Sequence, residues 1–195
     1  MIMTKITNDL PKNENLDDIN QLKKAKQEIA KAQYEIARHY YFDCCSEEED
    51  LKDKTAVKWF RKAAELGNPR AQFSLGNCYY NGNGVKKNTK EAAKWYRKAA
   101  EQGHDNAQLN LGISYSIGTG VKEDMAEAAK WWQKAAEQGN PVAQCFLGDC
   151  YSEGNGVEKN LKVAVDFYRK AADQGDDEAQ WRLGFCIKDG YGSKI

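Results

Sequence analysis

The stretch "NGNGVKKN", residues 81–88, holds a G-x-G followed by two lysines. Glycine-freed backbone amides beside Lys86 and Lys87 are the ingredients of a phosphate cradle, although a lone G-x-G is a weak signal without a strand before it. Other groups could bind ions. His39 lies near the adjacent pair Cys44 and Cys45, but neighbouring cysteines ligate one metal poorly and no second pair follows, so no metal site is expected. The run "EEED", residues 47–50, sits in a segment, 43–54, with six acids and two lysines, and is read as a solvated loop rather than a calcium or basic-partner site. Histidine chemistry could come only from His39 and His104, and no S-x-x-K or G-x-S-x-G supplies an activated serine. No catalytic residue and no cofactor are therefore expected.

The elements that must position these residues repeat every 36 residues. The blocks starting at Gly67, Gly103 and Gly139 align without a gap, and a fourth copy from Gly175 stops halfway. All sixteen glycines occupy four slots of this unit, which makes the G-x-G a turn rather than a nucleotide loop. Within a unit, Ala71, Leu75, Cys78 and Tyr79 keep the spacing of one buried helical face, and Asn68 with Pro69 begins that helix as N-cap and first residue. His104, Asn140 and Asp176 fill the cap slot later. Gly82 ends the helix, and a second starts at Asn88, Asp124 or Asn160, with Glu91 and Glu127 placed to complete the first two caps. Its apolar face is Ala92, Trp95, Tyr96, Ala99 and Ala100. Such a hairpin cannot bury its face alone, so neighbours must stack into a solenoid, with Gly76 and Ala99 letting helix backbones approach and Trp95, Trp131 and Phe167 filling larger gaps.

The pattern A-x-x-x-L-G-x-x-Y-x-x-G-x-G-V, then A-A-x-W-Y-x-K-A-A-E-Q-G, resembles the Sel-one-like repeat, a relative of the tetratricopeptide repeat. The resemblance covers residues 67 to 192 and extends backwards through "AVKWFRKAAEL" and, three residues out of register, "AQYEIARHYY". It implies an all-α fold, a right-handed alpha-alpha superhelix of stacked hairpins. It also implies a non-enzymatic scaffold or adaptor that binds a protein or peptide, as such proteins do in signalling, secretion-pathway quality control, envelope biogenesis and contact between bacteria and host cells. A cysteine-rich branch of the family staples its helices with cysteines eight residues apart. Here those slots hold Ala64 and Gln72, Ala100 and Gln108, and Ala136 and Gln144. A hydrolase of the beta-lactamase-like kind suggested for that branch is the alternative.

The expected layout is a disordered stretch over 1–15 and one solenoid over 16–195. The solenoid divides into a capping helix at 16–30, an irregular repeat at 31–66, regular repeats at 67–102, 103–138 and 139–174, and a half repeat at 175–195. Leu16, Ile19, Leu22, Ile29, Ile36 and Tyr40 keep helical spacing, which predicts one long helix from about Leu16 to Tyr41. The 29 basic and 29 acidic residues cancel, so there is no broad pull toward nucleic acid or anionic lipid. With no signal-like or membrane-length apolar run, a cytoplasmic monomer without membrane insertion is expected. Cys78, Cys150 and Cys186 share one slot, with Ser114 in the other copy, and read as small core residues.

If the first helices line the concave side, as the resemblance implies, the slots between the framework positions face the groove. They are Tyr34, Arg38 and Tyr41; Phe73, Asn77 and Tyr80; Leu109, Ile113 and Ser116; Cys145, Asp149 and Ser152; Trp181, Phe185 and Lys188. Of these, Tyr34, Arg38, Tyr41, Phe73, Asn77, Tyr80, Leu109, Ile113, Asp149, Trp181 and Phe185 are the expected partner-binding residues, since aromatics beside a few hydrogen-bonding groups suit a peptide. The alternative is that Phe73 and Tyr80 pack against neighbouring helices. Arg61, Lys62, Arg97, Lys98, Lys134, Arg169 and Lys170, near the second helices' C-termini, are expected to form a solvated convex face.

Overall fold

The structure, a computed structural model, describes residues 16–43 and 49–188. Among them lie nine α-helices and no strand: α1 (Leu16–Arg38), α2 (Glu49–Glu65), α3 (Pro69–Asn81), α4 (Thr89–Glu101), α5 (Asp105–Ser116), α6 (Met125–Glu137), α7 (Pro141–Glu153), α8 (Leu161–Ala172) and α9 (Asp177–Lys188). Each helix packs against the one before and the one after, which makes an all-α solenoid. The stretch expected to be disordered, the Cys44–Cys45 pair, and Glu47 and Glu48 of the acidic run lie outside the described residues, as does the tail of the half repeat after Lys188.

The cap chemistry builds the helices. Asn68 and Asn140 accept a hydrogen bond from the backbone N–H three residues on, each at 3.0 Å, with Pro69 and Pro141 following them. His104 and Asp176 do the same for α5 and α9. Asn88, Asp124 and Asn160 cap α4, α6 and α8. The reciprocal half expected of Glu91 and Glu127 does not form. The Asn88 amide already donates to the Tyr79 carbonyl at 2.8 Å and that of Asp124 to Tyr115 at 2.9 Å. The two carboxylates instead bind Lys94 and Lys130.

The G-x-G turn has two distinct tasks. Its first amides turn inward: those of Gly82 and Asn83 both donate to the Cys78 carbonyl, so they do not line an outward cradle. The second glycine lies against the start of the preceding repeat's second helix. A Cβ on Gly120 would overlap the Thr89 carbonyl, and one on Gly156 the Met125 carbonyl. At Gly76 a ring and a backbone both approach: a Cβ there would stand 2.6 Å from Tyr96 and 3.4 Å from the Ala92 carbonyl. Trp132 and Tyr168 cover Gly112 and Gly148 in the same way.

The six slots that hold cysteine staples in the cysteine-rich branch are bridged by amides. Gln72, Gln108 and Gln144, all buried, donate to the carbonyls of Ala64, Ala100 and Ala136 at 3.1 to 3.2 Å. Gln102, Gln138 and Gln174 then donate to those same three side chains at 2.7 to 2.9 Å. Helix α1 ends at Arg38, short of Tyr41, and the chain continues as a π-helical turn over His39–Asp43. Its buried contacts come from Ala30 and Ala37, whereas Leu22, Ile29 and Ile36 face outward.

Candidate functional site

Between α3 and α5 a cavity of about 340 Å³ is lined by Asn77, Tyr80, Asn81, Asn110, Ile113 and Ile117, with Tyr96 of α4 and Thr119. The Tyr96 hydroxyl forms its floor: it donates to Asn77 Oδ1 at 2.7 Å and is hydrogen-bonded by Asn110. Burial pushes this phenol up, so it remains a neutral donor. Counting 36 residues on gives Ile113, Trp132 and Phe146, an apolar set whose two rings lie 4.9 Å apart. Another 36 gives Asp149, Tyr168 and Arg182. There the Tyr168 hydroxyl donates to Asp149 at 2.7 Å, and Arg182 pairs with Asp149 and Glu178, each at 3.0 Å. Loss of hydration raises the Asp149 carboxyl, with Tyr168 and Arg182 acting against that rise. One geometric position thus carries an amide, an apolar and an ionic version in succession.

Of the residues read from sequence, the cavity brings together Asn77, Tyr80 and Ile113. Tyr80 is 38% exposed, with Lys87 over its ring. Phe73 is half-buried between Tyr96 and His104, 4.7 Å from the imidazole, which is the packing alternative. Leu109 is buried in the core with Ala129 and Trp132, because its slot lies closer to the helix pair than to the groove. Cys145 is buried likewise. Tyr34 and Tyr41 both pack on Phe60, and Asn83 donates to the Tyr41 hydroxyl at 2.7 Å, so Tyr41 ties the irregular first hairpin to the next turn. Arg38 is exposed beside Glu35. Trp181 and Phe185 are exposed on α9 and meet edge to face at 4.5 Å. Sequence reasoning missed Asn81, Asn110 and Ile117. Helical spacing holds the signal for them, since they stand four, three and four residues from Asn77, Ile113 and Ile113.

The chemistry available here is hydrogen bonding, apolar contact and, at Asp149 and Arg182, ion pairing. Burial holds the Cys78 thiol up at about 12 and Cys150 at about 11, which keeps them from acting as thiolates. The hydroxyls of Ser114, Ser116 and Ser152 donate to carbonyls of their own helices. No group of three His, Cys, Asp or Glu side chains among the described residues could hold a metal ion. No described helix is long and apolar enough to cross a membrane.

The model of the Sel1 repeat matches residues 30–68, 69–104, 105–140, 141–176 and 177–194. The chain belongs to the Sel1 repeat family. A protein-interaction role is typical of this family, which is generally non-catalytic. A Sel1 repeat protein from Oxalobacter formigenes is 39% identical and superposes with a TM-score of 0.78 over 87% of this chain and 66% of its own. The protein c5321, a protective antigen of uropathogenic Escherichia coli strains with an SLR fold, is 35% identical, with a TM-score of 0.71 over 93% of this chain and 46% of its own. The cysteine-rich protein B of Helicobacter pylori is 29% identical, with a TM-score of 0.56 over 70% of this chain and 98% of its own. The chain therefore spans just under two thirds of the first of these and less than half of the second. No curated protein matches it.

Proposed function

We propose that this Sel1 repeat protein is a non-enzymatic scaffold that binds an extended segment of another protein along the face made by α3, α5, α7 and α9. The observation that carries this reading is the cavity floored by Tyr96 between Asn77 and Asn110. Carboxamides beside a neutral phenol offer donors and acceptors without charge, which suits main-chain amides. Tyr80, Ile113 and Ile117 offer apolar walls for one side chain. Further along, Asp149 and Arg182 suit a polar or charged residue. An uncharged, apolar-bearing segment followed by a polar one fits this order.

A pull-down from native extract with two double variants tests it. Tyr80→Ala with Ile117→Ala removes the exposed walls of the cavity and is expected to lose the partner while retaining full helicity by circular dichroism. Lys62→Ala with Lys98→Ala, on the second helices, is expected to retain it. The opposite pattern would move the binding face to the second helices. Saturable, protein-dependent turnover of nitrocefin would overturn the non-enzymatic reading.

A further inference from the structure

The second helices of the first two hairpins carry matching arginine–tyrosine contacts; the third keeps the tyrosine without the arginine, and the fourth keeps Arg169, paired with Asp166, with Ile187 in the tyrosine slot. Arg61 of α2 donates to the Tyr79 hydroxyl at 2.8 Å, with its guanidinium 5.6 Å from the ring centroid. Arg97 of α4 contacts the Tyr115 hydroxyl in the same way, 5.5 Å from that ring. In the next repeat the tyrosine remains, as Tyr151, but its arginine is replaced by Gln133, which turns along α6 to donate to Glu137 at 2.8 Å. A cavity of about 620 Å³ opens there, lined by Gln133, Glu137, Trp131, Leu147, Tyr151 and Val157, among others. The Trp131 indole N–H in its wall is buried and finds no acceptor among the described residues. The two lysines at the rim are engaged: Lys130 pairs with Glu127 at 2.6 Å, and Lys134 lies 4.0 Å from the Trp131 ring centroid.

We infer that this cavity is a binding site for the arginine side chain of a partner protein, whose guanidinium takes the place that Arg61 and Arg97 occupy in the two preceding repeats. The planar cation lies by the ring of Tyr151, which also stacks on Phe167, and donates to its hydroxyl as Arg61 and Arg97 do at Tyr79 and Tyr115, and Glu137 supplies the anion. A main-chain carbonyl of the same segment accepts from Trp131. Lysine cannot reproduce this arrangement, because an ammonium neither stacks nor forks. The site lies on the second-helix side and does not depend on the groove.

The test is a titration of the full chain with the tripeptides Ac-Gly-Arg-Gly-NH2 and Ac-Gly-Lys-Gly-NH2, followed by amide and indole signals in two-dimensional NMR. The arginine peptide should shift Gln133, Tyr151, Val157 and the Trp131 indole saturably. The lysine peptide should bind about tenfold more weakly. Gln133→Arg, which restores the internal contact, should abolish the shifts and raise the melting temperature. Tyr151→Phe should weaken binding by about fivefold, the loss of one hydrogen bond, with folding unchanged. Equal response to both peptides, no saturable shift, or shifts that survive Gln133→Arg would overturn the assignment.

Discussion

His104 does at the start of α5 what asparagine does at the starts of α3 and α7, but with a group that titrates. Its Nδ1 accepts from the Ala107 amide at 3.3 Å, so the cap requires the neutral ring. Burial lowers its pKa below the usual 6.5. The sign follows: the folded state binds the proton less readily than the unfolded one, so the cap's contribution is intact above about pH 6.5 and declines as pH falls below it. Wild-type protein should lose about 2–4 °C more in melting temperature between pH 7 and pH 5 than His104→Asn, for a cap worth about 1 kcal/mol. Parallel melts of the two proteins check this, and equal slopes would separate the cap from the titration. This role was legible in the sequence, because a cap is local and the other copies show Asn or Asp in its slot. The idle role of Glu91 was not, because the amide it would serve is taken by a carbonyl nine residues earlier, on another helix.

Between elements, the two glycines of each turn differ in a way their spacing hides. Gly118 has a positive φ of 67° but room for a methyl, the nearest atom being 3.4 Å away, whereas a Cβ on Gly120 meets the Thr89 carbonyl. Gly118→Ala should therefore cost on the order of 1 kcal/mol of backbone strain, and Gly120→Ala clearly more, because α4 and the turn must also separate. Denaturant unfolding of both variants gives the comparison, and equal losses would refute the contact role. The glutamine bridges make a second case. Gln108→Ala leaves the Ala100 carbonyl and the Gln138 amide without their bonds, and should cost about 1–3 kcal/mol, read from the same unfolding curves. The 36-residue period revealed hairpins and turns, since those follow from local propensity. The ring seated on each glycine and the paired glutamines join residues 20 and 30 apart, and no periodicity in one helix can show such partners.

At the scale of the whole molecule, stability resides in stacked interfaces, and Cys78, Cys145 and Cys150 are buried thiols in no disulfide. Reductant should leave the melting temperature unchanged, and a marked drop would place a disulfide in the stack. The solenoid was legible because repetition forces stacking. The cavity lining was legible only in part: equal spacing put Asn77, Tyr80 and Ile113, which line one cavity, in a single series with Leu109 and Cys145, which inter-helix packing buries. The basic residues of the second helices were expected to be solvated. Lys62 and Lys98 are exposed, and their side chains also cover tryptophans three residues earlier, Lys62 over Trp59 at 4.1 Å and Lys98 over Trp95 at 4.0 Å. The most direct test of the central claim uses a peptide selected from a random library against the immobilised chain and maps its footprint by chemical-shift perturbation. The account predicts shifts at Asn77, Tyr80, Asn110, Ile113 and the Tyr96 ring. A footprint on Lys62, Lys94 and Lys98, with those residues unmoved, would contradict it.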